Sequence, residues 1–79
     1  MPHPALPQVT AAYKNVTTAH SLLFEARSLL EEALEVVPES EQATLEQTRQ
    51  ALAQVRQVLD TTLPLAEMLR QTYRLVQEE

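Results

Sequence analysis

From Val9 to Val37 an apolar residue returns at every seventh position: Val9, Val16, Leu23, Leu30 and Val37. Three residues after each of the first four comes an alanine, at Ala12, Ala19, Ala26 and Ala33. With the first series labelled a and the second d, this is a heptad repeat, the spacing that holds one stripe of an α-helix against a neighbouring helix. Alanine at every d position lets that neighbour approach closely. The residues just before a, Leu22, Leu29 and Val36, are apolar too. The predicted stripe therefore spans g, a and d, wider than a two-helix seam requires.

The second half of the chain repeats the pattern. Leu45, Leu52, Leu59, Ala66 and Tyr73 form an a series, and Thr48, Val55, Thr62, Leu69 and Val76 form d. The g flank is apolar at Ala51, Val58 and Leu65, whereas the e flank carries Arg49, Arg56 and Arg70. Thr48 and Thr62 are polar at core positions. A threonine hydroxyl in a helix bonds the carbonyl one turn back, so both read as packing residues.

Pro38 separates the two halves. Proline cannot continue a helix from within and drives the preceding residue, Val37, out of helical conformation. Ser40 is the expected N-cap of the second helix, with Glu41 favourably placed against the helix dipole. Thr44 with Gln47 offers a second capping box. So short a turn forces the helices to run antiparallel. Pro64 falls at an outer f position and does not shift the heptad phase. That favours one continuous, kinked helix over a break in which Thr62 or Leu63 caps a third helix. The expected organisation is a Pro-rich flexible lead-in over 1–8, then one helical-hairpin domain over 9–79. Its helices run over about 8–37 and about 41–63, the second continuing or restarting over 64–78, with a turn at 38–40.

Composition supports this all-α reading. The 79 residues include no glycine, which leaves no Gly-rich phosphate loop and few ways to build tight turns between strands. There is no cysteine, which removes disulfides and thiolate metal sites, two of the usual supports for a small fold. Oligomerisation remains as the expected support. In an antiparallel pair the two g flanks share one edge of the seam, and here both are apolar. A second hairpin docked over that edge would close a four-helix bundle, most simply as a two-fold homodimer.

Eleven acidic against six basic residues give a net charge of −5, which disfavours nucleic acid and anionic membranes as partners. No apolar run is long enough for a membrane span and no signal-peptide pattern opens the chain, so a cytoplasmic location is expected. Glu31, Glu32, Glu35, Glu39, Glu41 and Glu46 crowd the turn. They lie at outer positions or in the turn and lack the Glu-x-x-His spacing of carboxylate di-metal bundles, so no metal or other cofactor is expected. His20, at e, lacks a carboxylate orienter and is expected to pack on Phe24. Ser21 and Ser28 fall at outer positions, where a nucleophile has no base.

The segment from Leu63 to Val76 is apolar on most sides and calls for burial on most sides. The expected oligomer or partner interface is therefore Leu22, Leu29 and Val36 on the first helix. On the second it is Ala51, Val58, Leu65, Met68, Leu69, Tyr73, Leu75 and Val76. Phe24, at b, is an additional candidate contact. The functional expectation is a small non-enzymatic interaction module: an adaptor, a regulatory subunit or a chaperone-like bundle. It would act as a homodimer or with another protein. The alternative is an amphipathic helical protein that binds lipid or another apolar surface.

Overall fold

A computed structural model describes residues 3–78. Two helices account for nearly all of them: α1, Leu6–Val36, and α2, Gln42–Glu78. Strands are absent among the described residues. The helices pack antiparallel along their length as a rod of 63 × 14 × 13 Å. Its radius of gyration is 17.8 Å, against about 12 Å for a compact globule of this length.

The α1 helix starts earlier than the periodicity suggests, because residues 6–8 of the expected lead-in are already helical. Pro7 occupies the first turn, where a missing N–H costs nothing. Ala5, the N-cap residue, has no capping side chain. Its N–H instead donates to Nδ1 of His3 at 2.9 Å, and the Leu6 N–H donates to the His3 carbonyl at 3.0 Å. Met1 and Pro2 of the lead-in, and Glu79 of the hairpin domain, lie outside the described residues.

At the other end, Val37 is extended at φ −71°, ψ 127°, as the proline after it requires. Its N–H still reaches the Ala33 carbonyl at 3.1 Å. The Glu41 N–H then bonds the Pro38 carbonyl at 3.0 Å to close the turn. Ser40 is not the cap: α2 begins at Gln42, two residues further on. Nor do Thr44 and Gln47 form a capping box, because they already lie inside the helix. The Thr44 carbonyl instead accepts from the Thr48 hydroxyl at 2.8 Å.

Pro64 sits inside α2, which passes through it unbroken, so there is no third helix. Its outward f position places the lost backbone hydrogen bond on the exposed side of the rod. The buried core is confined to α2: Leu45, Leu52 and Leu59 at a, and Val76 at d. The α1 helix has no fully buried residue. Facing alanines at d, it gives the α2 leucines room to press in while its own a residues stay half-buried.

Candidate interaction surface

The two edges of the hairpin differ in kind. On α1 the e positions Tyr13, His20, Arg27 and Leu34 are all half-buried, whereas every g position is exposed. Thus α1 is rolled about its axis, tucking its e flank toward α2 and turning its g flank out. The stripe used within the hairpin is a, d and e. The g flank expected to belong to that stripe is left over, as a lone hairpin demands.

Apart from Leu63, which is 58% exposed, the e edge is polar and internally partnered. The Tyr13 and Tyr73 rings meet at 5.8 Å near the end remote from the turn. In the middle, His20 Nδ1 and Thr62 Oγ1 are hydrogen-bonded at 2.7 Å. Thr62 also donates to its own helix at Leu59 O, 3.2 Å away, so the back-bonding expected of it is present alongside a cross-helix partner. Toward the turn, Glu31 stands between Arg27 (3.6 Å) and Arg56 (3.5 Å). Phe24 is exposed, but its ring is engaged: His20 meets it edge-on at 5.2 Å, and the Arg27 guanidinium lies 4.5 Å from its centroid. The expected packing of His20 on Phe24 is therefore present. The buried Arg27 Nε makes no hydrogen bond, and its charge is met by Glu31 and the Phe24 face. These polar contacts across the seam fix register. Exposed ion pairs contribute at most about 1 kcal/mol each.

The g edge has no such contacts. Leu22 is 60% exposed, Leu29 57% and Val36 78% on α1, and Val58 and Leu65 continue the edge along α2. The adjoining c positions extend it with Met68, 64% exposed, and Leu75, 63% exposed. Ala51, the small member of the set, is half-buried. Charge is sorted the same way. The seven charged side chains from Glu46 to Arg74 on α2 all fall at e or b positions, and none falls at g or c. Sequence periodicity identified the g residues. The sorting of charge across α2, part of which the arginines of the e flank already display, marks the same edge.

Not every expected interface residue is available. Leu69 and Tyr73 are half-buried and Val76 is buried, all three at the seam with α1. The hairpin itself uses them, so the segment apolar on most sides is only partly left over. At the turn, Glu46 pairs with Arg49 at 3.9 Å and Glu31 with its two arginines. No ion pair forms at Glu32, Glu35, Glu39 or Glu41 among the described residues. Also among the described residues, no His, Asp and Glu group is arranged to hold a metal ion, and no pocket indents the surface. Neither helix is long and apolar enough to cross a membrane.

The total accessible surface is 5911 Å². A compact monomer of this mass would expose about 4,800 Å², so the hairpin presents roughly 1,100 Å² more than its size requires. Comparison with family models, with curated proteins and with solved structures returns no match for this chain.

Proposed function

We propose that this chain is a small, non-enzymatic protein-interaction module that works through the g edge of its hairpin, in a homo-oligomer or in a complex. The observation that carries this reading is the contrast between the edges. One is polar and internally partnered but for the exposed Leu63; the other is aliphatic, exposed and, on α2, free of charge. Exposed apolar area that is contiguous and segregated from charge is what distinguishes a binding face from scattered surface leucines. Such a module suits the role of an adaptor, a regulatory subunit or a chaperone-like bundle.

Sedimentation equilibrium of the full chain at micromolar to submillimolar concentration tests the reading. The expected result is a mass above the 8.9 kDa of one chain, with helicity rising as the oligomer forms. A stable, fully helical monomer over that whole range would remove the homo-oligomer. Association with neutral lipid vesicles in a flotation assay would favour the lipid-binding alternative.

A further inference from the structure

We propose that α2 carries a second, self-complementary seam along which two copies pair antiparallel, about a two-fold axis between Leu65 and Met68. The proposal rests on the interaction reading above and specifies its partner and geometry.

The seam is Val58, Thr61, Leu65, Met68, Thr72 and Leu75, all exposed on the hairpin. Their spacing alternates three and four residues, so they form one stripe along the helix. At 3.6 residues per turn the stripe lies roughly 110° around α2 from the a/d seam. A helix docked there does not compete with α1, and the angle suits the corner of a four-helix bundle.

Read in either direction the stripe has the same order: apolar, threonine, apolar, apolar, threonine, apolar. An antiparallel pairing centred between Leu65 and Met68 sets Leu65 against Met68 of the second copy, Thr61 against Thr72, and Val58 against Leu75. Every apolar residue meets an apolar residue and every threonine a threonine. A two-fold interface requires this, because each patch must complement itself. An axis moved to Thr61, which overlaps the hairpins along their full length, sets Gln54 against Met68 and Gln47 against Leu75 instead.

The stripe is ready for burial. The Thr61 hydroxyl donates to the Gln57 carbonyl at 3.2 Å, and the Thr72 hydroxyl to the Met68 carbonyl at 3.0 Å. Covering them leaves no hydroxyl proton without an acceptor. No charged group on the stripe has to be desolvated. The roughly 1,100 Å² of surplus surface per chain exceeds the roughly 800 Å² per partner of a standard stable interface.

The absence of cysteine allows clean single-site spin labelling. Gln57→Cys and Gln71→Cys place labels at exposed f positions outside both seams. With 1.5 Å rise per residue, the proposed axis separates paired labels along the rod by about 29 Å at 57 and about 14 Å at 71. Pulsed dipolar spectroscopy on the full chain, where its mass is dimeric, is expected to give a distance longer at 57 by about 10 Å. A shorter distance at 57 means an axis near Thr61, and equal distances mean parallel pairing or an antiparallel axis at Pro64. Either overturns the seam while leaving the interaction reading intact. A monomeric mass with no dipolar coupling at any concentration overturns the seam and removes the homo-oligomer from the interaction reading.

Discussion

Met68→Lys places a charge beside the proposed two-fold axis, on a residue the hairpin itself hardly uses. Full burial of a methionine side chain is worth about 1.5–3 kcal/mol. Because Met68 is 64% exposed in the hairpin, pairing accounts for about 1–2 kcal/mol of that per chain. Two-fold symmetry counts the residue twice, giving about 2–4 kcal/mol per dimer. At about 1.4 kcal/mol per decade, the dissociation constant rises roughly 30- to 700-fold, before the cost of desolvating the ammonium group is added. The hairpin should be nearly indifferent. Lysine and methionine have similar helix propensities, and an exposed substitution of this kind stays within about 0.5 kcal/mol. Sedimentation equilibrium over a concentration series reads the dissociation constant, and circular dichroism reads the helicity of each state. An unchanged dissociation constant would show that the stripe takes no part in pairing. Loss of helix in the monomer would show that Met68 supports the hairpin after all. Leu69→Lys, one residue along but in the a/d seam, is the matched control and should unfold both.

Three further outcomes test the hairpin itself. Leu52→Ala removes a side chain only 4% exposed and should cost about 2–5 kcal/mol in urea unfolding; a cost below about 1 kcal/mol would mean the α2 leucines are not the core. Pro64→Ala restores a backbone hydrogen bond on an exposed face and should raise the thermal midpoint by stabilising α2 by up to about 3 kcal/mol; a lower midpoint would show that the proline shapes a needed bend. Thr62→Val removes the His20 partner and should cost about 0.5–1.5 kcal/mol, whereas Thr48→Val, whose hydroxyl only back-bonds to Thr44, should be near neutral. Equal effects would deny the cross-helix bond any role.

The helices, the turn and the shared g edge were legible because they depend on local rules: heptad spacing, and the constraint proline places on the residue before it. The roll of α1 was not legible. It is tied to Tyr13 meeting Tyr73, His20 meeting Thr62, and Glu31 meeting Arg56. Those pairs join residues far apart in sequence, and periodicity carries no information about them. The packing of His20 on Phe24 was legible because the two lie one turn apart on the same helix; the Arg27 guanidinium over the same ring was not read from the spacing. Ser40 satisfies cap chemistry, yet the turn closed by Glu41 and Pro38 starts α2 at Gln42, one residue after the expected start near 41. The burial of Leu69, Tyr73 and Val76 inside the hairpin was not legible, because composition alone does not divide an all-round apolar helix between two neighbours.

The Tyr13–Tyr73 pair has a practical consequence. The chain has no tryptophan and only two tyrosines, so its tyrosine emission arises from one place, where the rings meet at 5.8 Å near the end farthest from the turn. A hairpin that zips from its turn forms that contact last and loses it first. Tyrosine fluorescence therefore reports fraying at the open end, while far-ultraviolet dichroism reports total helix, and the two signals should separate on gentle heating. The natural chain thus contains its own optical gauge of end closure, with no probe to attach.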